Sequence, residues 1–157
     1  MILSNKTAIR IAFTVAMAVM ASCNRKTVYS HYLSVNLQGW QKTDSLSFTV
    51  QPIPATAVYE PVLGLRVSTL YPFANLSLVA NIVTPQTQRS DTLSYTLINK
   101  NGNWSGQGVI YNQYTAPLPS LYLFEGDTVH VYVKHNMRVF SLKGVSDICF
   151  TLHPYQR

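Results

Sequence analysis

Apolar and polar residues alternate along most of the chain, and this period of two constrains the fold more than any other feature. Successive side chains of a β-strand point to opposite faces, so an alternating segment forms a strand with one buried face. About nine segments show the pattern, at 29–37, 46–50, 63–67, 76–82, 93–97, 109–114, 121–124, 129–133 and 148–152. Helical periodicity is almost absent after the N-terminal segment, so the chain is predicted to be all-β.

Turn-forming residues separate these segments. Proline, glycine and aspartate cluster at 51–54, 71–72, 117–119 and 125–127. Asn101-Gly102 lies between two alternating runs, and this dipeptide indicates a hairpin because both turn residues tolerate positive φ. Short strands with one apolar face suit two antiparallel sheets packed on each other. We therefore predict an antiparallel β-sandwich, jelly-roll or immunoglobulin-like, and the strand number favours the jelly roll.

The N-terminal segment indicates export. Lys6 and Arg10 precede an uncharged apolar run at 11–20, which ends in small residues before Cys23. This layout is typical of a secretory signal peptide. The run is about half of the roughly 20 residues that a membrane-spanning helix needs, so a permanent span is not expected.

The segment Met20-Ala21-Ser22-Cys23 resembles a bacterial lipobox, although Leu is usual where Met20 stands. The resemblance implies a signal peptide at 1–22 and a lipid anchor with a short tether at 23–28, and the alternating segments predict that the β-sandwich domain occupies 29–157. A covalent lipid on Cys23 is then the only attached group, with no other cofactor, and about two acyl chains suffice for stable anchoring. The alternative is an ordinary signal peptide followed by a chance cysteine. The basic pair Arg25-Lys26 favours a protein that faces the periplasm.

Charge and chemistry exclude several functions. Without residues 1–22 the chain keeps ten basic and six acidic residues, a net charge of +4, and these charges are scattered, which does not favour nucleic-acid binding. Four dispersed histidines give no zinc spacing, and Cys149 would be the one remaining thiol. We predict no metal, no small-molecule substrate and no enzymatic activity. An enzyme would need a pocket that gathers groups such as His130, His135 and Asp147.

Several segments together resemble one known family. They are Cys23-Asn24, Tyr29–Tyr32, Gly39-Trp40 with Lys42 and Asp44–Phe48, Leu63–Arg66, Tyr71–Phe73 with Asn75-Leu76, Asp91–Leu93, Gly102 to Gly108 around Trp104, His135 with Met137-Arg138, and Leu142 to Asp147. In this order they are similar to the gliding motility lipoprotein GldH family of Bacteroidetes. Phe73 and Asn136 depart from the expected Tyr and Gly.

The resemblance implies an envelope lipoprotein of the gliding motility and type IX secretion apparatus. Its partners would be the membrane and other envelope proteins of that apparatus, and its location the outer membrane facing the periplasm. The family has no catalytic residues to transfer, and Cys23 alone carries over, as the lipid-bearing residue.

A structural or partner-binding cluster is expected at one end of the sandwich. Arg66 and Arg138 are placed to pair with Asp147 or with Asp44, and the cluster also includes the tryptophans Trp40 and Trp104. The alternative function is a carbohydrate- or peptidoglycan-binding lipoprotein on the same sandwich, for which exposed aromatic side chains would supply stacking surfaces.

Overall fold

The strands account for most of the chain that the computed structural model describes, which is residues 27–36 and 38–155. They are β1 (Tyr29–Ser34), β2 (Trp40–Gln41), β3 (Leu46–Val50), β4 (Ala57–Ser68), β5 (Asn75–Val83), β6 (Gln88–Thr96), β7 (Tyr111–Pro117), β8 (Leu121–Leu123), β9 (Val129–His135), β10 (Ser141–Leu142) and β11 (Val145–Pro154). No helix occurs within those residues, so none there is long and apolar enough to cross a membrane. The predicted all-β class is confirmed.

Two antiparallel sheets form the sandwich. The first has the order β1-β11-β4, and β4 pairs with β8 along its first part and with β7 along its second. The second has the order β3-β9-β5-β6, and β2 and β10 form a small separate pair. Without β2 and β10, and with β7 and β8 counted as one strand, eight strands remain, numbered one to eight in chain order. The first sheet then contains strands one, eight, three and six, and the second contains strands two, seven, four and five. This is the jelly-roll order, so the predicted topology is confirmed.

The core lies between the sheets, where alternate residues of each strand meet. Phe48 of β3 and Phe150 of β11 come from opposite sheets, and their ring centroids are 5.9 Å apart. The hydroxyl of Tyr95 in β6 donates to the carbonyl of Leu63 in β4, 2.8 Å away across the two layers. Each large apolar side chain buried in this way contributes about 1.5–3 kcal/mol.

The sandwich has two ends, which we call near and far. The described chain enters at the near end, where Tyr29 pairs with Leu152, and the loops 51–56, 84–87, 118–120 and 124–128 also lie there. The far end carries the segments 35–45, 69–74, 97–110 and 136–144. The 12 residues of β4 run from the near end to the far end, which at about 3.3 Å per residue is a distance of about 40 Å.

One local prediction is confirmed and another is wrong. Asn101-Gly102 forms the turn of a small hairpin, with a φ of 79° at Gly102 and an antiparallel bridge between Ile98 and Trp104, whereas β6 and β7 belong to different sheets. The turn lies in the segment 97–110 at the far end, where the chain crosses from the second sheet to the first. The segment 109–114 was expected to begin a strand at Val109, yet β7 begins at Tyr111, and Val109 and Ile110 lie in an exposed loop.

Candidate interaction surface at the far end

The five cluster residues predicted from the sequence all lie at the far end. Trp40 is in β2, Trp104 is in the segment 97–110, and Arg138 is in the segment 136–144. Arg66 and Asp147 are register partners where β4 and β11 approach this end. Their common location is a result of strand pairing, since they are far apart in sequence.

Trp40 is a structural residue. Its side chain is 2% exposed, and its indole Nε1 donates to the carbonyl of Asp44, 3.2 Å away. The preceding Gly39 has a φ of 124°, and a Cβ there would come within 2.2 Å of Ser141 Oγ. The tight turn that seats the indole against β10 therefore requires glycine.

His135 holds the same region together. Its ring meets the Trp40 ring edge-on, with centroids 5.4 Å apart, and its Nε2 lies 3.1 Å from the Trp40 carbonyl. The backbone N–H of Met137 points at Nδ1 from 3.4 Å. These two contacts fit a neutral imidazole that carries its proton on Nε2. Burial lowers the pKa of His135, and this outweighs the hydrogen bond to Trp40, which raises it.

The expected ion pairs of Arg66 and Arg138 with acidic residues are not formed. The Arg66 guanidinium carbon lies 4.5 Å from the centroid of the Tyr32 ring, a cation–π contact, and its Nε is 3.5 Å from Gln113 Oε1. Asp147 instead accepts hydrogen bonds from Ser34 Oγ at 2.9 Å and from Ser146 Oγ at 2.5 Å.

Arg138 is exposed in its loop. Within residues 27–36 and 38–155 the one ion pair joins Arg89 and Asp91, on β6. Asp147 is hydrogen-bonded by serine hydroxyls and Arg66 packs on an aromatic ring, so both residues have structural partners. Arg138 is available at the surface for a partner.

Apolar side chains project from the far-end loops into solvent. Leu70 is 87% exposed, Val109 92% and Ile110 71%, and Tyr111 and Phe140 are also exposed. Leu70, Val109, Ile110 and Phe140 were not identified as functional from the sequence. The available signal was that Val109 and Ile110 follow Gly108 in a segment rich in glycine, where a regular strand is not expected to begin.

Buried neighbours hold these side chains in position. Tyr71 is buried and its hydroxyl donates to the Asn75 carbonyl at 3.1 Å, which turns the preceding Leu70 outward. The backbones of Gln107 and Gln113 exchange two hydrogen bonds, of 3.2 and 2.9 Å, and thereby fix the loop that presents Val109 and Ile110. The exposed residues are therefore presented by fixed backbone.

A cleft of about 400 Å³ opens among these loops, lined in part by Leu70, Tyr111 and Lys143. Lys143 is the basic residue among those that line the cleft, and the far-end segments as a whole carry more basic than acidic residues. The far-end segments contain four basic residues, Lys42, Lys100, Arg138 and Lys143, against one acidic residue, Asp44. We call this region, the exposed apolar residues with their basic surround, the far-end surface. An apolar centre with a charged rim is the composition of a protein interface.

The residues considered for catalysis or metal binding are not brought together. His130 and His135 lie on opposite faces of β9, and His130 Nδ1 is 3.2 Å from Thr49 Oγ1. Asp147 is on the other sheet, and Cys149 is buried with its Sγ 3.5 Å from Thr151 Oγ1. In the part of the chain that the structure describes, no group of three or more His, Cys, Asp or Glu residues is arranged to hold a metal ion. Cys23 lies outside that part.

The family match and the two similar lipoproteins described below all belong to one family. Residues 27–152 match the family described as GldH lipoprotein. The chain is 34% identical over 97 residues to a gliding motility lipoprotein GldH homolog of Christiangramia forsetii, an alignment that covers 61% of this chain and 59% of that one. It is 29% identical over 150 residues to the gliding motility lipoprotein GldH of Flavobacterium johnsoniae, covering 87% of this chain and 91% of that one.

Among solved structures, a family GH115 4-O-methyl-alpha-glucuronidase contains a similar fold. The TM-score is 0.52 at 14% identity, over 86% of this chain and 18% of that one. At this identity the likeness extends to the fold alone.

Proposed function

Because the chain belongs to the GldH lipoprotein family, we propose that it is a non-enzymatic, lipid-anchored component of the gliding motility machinery that docks an envelope protein through the far-end surface. The observation that carries the proposal is the group of fixed, exposed apolar side chains on that surface. An exposed apolar patch of this kind on a soluble domain marks an interaction site.

The position of the lipid tether at the near end supports docking through the far end. The tether leads from Cys23 into β1 at the near end, so a lipid on Cys23 holds that end at the membrane. The far-end surface is then about 40 Å away from the bilayer, where it faces the proteins of the compartment. Its four basic side chains against one acidic residue match a partner with an acidic surface, since complementary charge accelerates association and selects the partner.

A non-enzymatic role is consistent with how the polar groups are used. Among the described residues, every buried side-chain nitrogen or oxygen has a hydrogen-bond partner. Catalytic groups often have perturbed pKa values, but Tyr71, Tyr95 and His135, whose pKa values burial shifts, each contact a backbone carbonyl within the fold. We therefore propose that the protein acts by binding.

We further propose that the protein belongs to the type IX secretion apparatus and sits on the outer membrane, facing the periplasm. The basic pair Arg25-Lys26 beside Cys23 supports this orientation. Fractionation and protease digestion of intact cells test it. Protection of the protein until the outer membrane is permeabilised is the expected result, and digestion in intact cells contradicts it.

The docking test is photo-crosslinking in cells, with a photoreactive amino acid at Ile110 and a control position at Tyr132, an exposed tyrosine on the outer face of the second sheet. We expect a crosslinked envelope protein from position 110 and none of that mass from position 132. The double variant Leu70→Asp, Ile110→Asp should reduce capture by roughly tenfold or more, since truncated hot-spot residues cost about 1–2 kcal/mol each.

Tyr132→Asp is the matched control variant for this capture. Both replaced side chains of the double variant are mostly solvent-exposed, so we expect its membrane fraction and thermal stability to match those of wild type. Undiminished capture by the double variant contradicts docking through the far-end surface.

A second candidate function has one specific observation in its favour. A groove of about 450 Å³ on the outer face of the second sheet is lined by Asn81, Gln88, Tyr132 and Lys134, among others. An aromatic ring with neighbouring amides suits a sugar ring. Binding of peptidoglycan fragments or envelope glycans that is lost in Tyr132→Ala favours this candidate over the docking function.

A further inference from the structure

A second group of exposed apolar side chains lies at the opposite end of the molecule, on the first sheet. Val58 of β4 and Tyr122 of β8 are register partners, and the backbone N–H of Tyr155 donates to the Val58 carbonyl at 2.8 Å. The rings of Tyr122 and Phe124 meet edge-on, with centroids 5.3 Å apart. All four side chains are exposed, Tyr122 by 60%. We call them the near-end cluster.

The cluster lies beside the point where the described chain begins. The backbone N–H of Val28 donates to the Leu152 carbonyl at 2.9 Å, and Thr27 Oγ1 lies 3.4 Å from His153 Nδ1. His153 is two residues before Tyr155 on the same chain segment. The N-terminal tether therefore leaves the sandwich next to the near-end cluster.

Covalent geometry limits how far this end lies from a lipid on Cys23. Three residues lie between Cys23 and Thr27, so four Cα–Cα steps join them, and an extended chain spans at most about 3.5 Å per step, or about 14 Å in all. An anchored molecule thus holds its near end at the headgroup layer, while the far end has no such restriction.

The composition of the cluster matches that layer. Tyrosine concentrates at membrane–water interfaces because its ring prefers the acyl boundary and its hydroxyl the headgroups. The cluster contains two tyrosines, a phenylalanine and a valine, and the neighbouring loop 124–128 carries Glu125 and Asp127 but no Lys or Arg. The attraction is therefore apolar and does not depend on anionic lipid.

We propose that the near-end cluster rests in the interfacial layer of the membrane that carries the anchor and so fixes the orientation of the sandwich on the bilayer. This inference rests on the lipid anchor of the proposed function. It adds a second membrane contact, made by the folded domain itself, which fixes the orientation of the domain and directs the far-end surface away from the lipid.

The test uses the full lipoprotein reconstituted into vesicles of phosphatidylethanolamine and acyl-brominated phosphatidylcholine. Bromine quenches tryptophan at the acyl boundary, and the native Trp40 and Trp104 both lie at the far end. Tyr122→Trp places a reporter in the near-end cluster, Tyr155→Trp places a second one, and Tyr132→Trp is the matched control on the other sheet. The replaced tyrosines are all exposed, so each variant should fold as wild type does, which its thermal unfolding checks.

We expect the emission added by Tyr122→Trp or Tyr155→Trp to be blue-shifted and quenched roughly twofold or more, as for a ring at the acyl boundary. The emission of wild type and of Tyr132→Trp should stay unquenched. Equal quenching at the cluster and at position 132, or none at the cluster, overturns the inference while the protein still floats with the vesicles. If wild type fails to float, or Cys23→Ala floats equally well, the anchor itself fails and the inference fails with it.

Discussion

The hydroxyl of Tyr95 links the two sheets, and its removal is the sharpest test of how the sandwich is held together. The ring is 5% exposed and the hydroxyl donates to the Leu63 carbonyl at 2.8 Å. Tyr95→Phe keeps the ring packing and deletes that hydrogen bond. A buried hydrogen bond of this kind contributes about 1–2 kcal/mol to the free energy of unfolding. For a domain of this size the corresponding fall in Tm is about 5 °C.

The assay is urea and thermal unfolding of the purified lipoprotein in detergent at neutral pH, followed by circular dichroism. Tyr132→Phe is the control, since its hydroxyl is exposed and its removal should change stability by less than about 0.5 kcal/mol. Equal stability of Tyr95→Phe and wild type refutes the claim that this hydroxyl joins the layers.

The stability at alkaline pH is an independent test of the hydrogen bond from Tyr95 to Leu63. Burial raises the pKa of Tyr95 well above its ordinary value of 10.0. The unfolded chain ionises this tyrosine above about pH 10 while the folded chain keeps it neutral, so its contribution to stability is lost as the pH rises past that value. Wild type should therefore lose stability more steeply than Tyr95→Phe between about pH 10 and 11. Parallel slopes would show that the hydroxyl is not buried in solution.

Two further stability predictions concern His135 and the 124–128 loop. Because burial lowers the pKa of His135 from 6.5, the stability that depends on the neutral ring is present above that value and is lost as the pH falls below it. His135→Gln should flatten the acid limb of a stability-against-pH curve, and an unchanged limb contradicts the neutral imidazole. Asp127 accepts hydrogen bonds from the backbone N–H of Phe124 at 2.9 Å and from Gln86, so Asp127→Ala should cost about 1–3 kcal/mol in urea unfolding. Glu125→Ala, exposed in the same loop, should cost less than about 0.5 kcal/mol, and equal losses would refute the role of the Asp127 contacts.

The near-end cluster and the far-end surface lie at opposite ends of the sandwich. The near-end cluster and the tether share one end, and the far-end surface with its four basic residues occupies the other. In the arrangement that we propose, the sandwich between them, about 40 Å long, is a spacer that presents the far-end surface at a set height above the bilayer. In this arrangement the jelly roll supplies length and rigidity, and its loops supply recognition.

The sequence by itself determined the class of fold and which face of most strands is buried. Alternation is local, since the pleat turns successive side chains to opposite faces, so Ile148 and Phe150 could be assigned to the core and Cys149 to the outer face from the pattern alone. The order of the family motifs likewise indicated the family, because it depends only on residue identity and spacing.

Only the tertiary structure decided which side chains meet. Arg66 and Asp147 were correctly placed at one end, yet the choice between an ion pair and separate partners depended on Tyr32 and Ser34 of β1, more than 30 residues before Arg66. The Asn-Gly turn has the local geometry of a hairpin, but whether its flanking strands pair is decided by which sheet each joins. Long-range pairing of this kind is settled by the packing of whole layers, which the local pattern of residues does not encode.

The exposed surfaces were the hardest feature to predict for the same reason. Val109 and Ile110 continue an apolar pattern that favours a strand, and they become exposed because Gln107 and Gln113 pair and force a loop between them. Tyr122 and Tyr155 are far apart in sequence, and the pairing of β4 with both β8 and β11 brings them onto one patch. From the sequence alone an apolar residue is predicted to be buried in the core. Only the completed fold shows that no other sheet or loop packs over it.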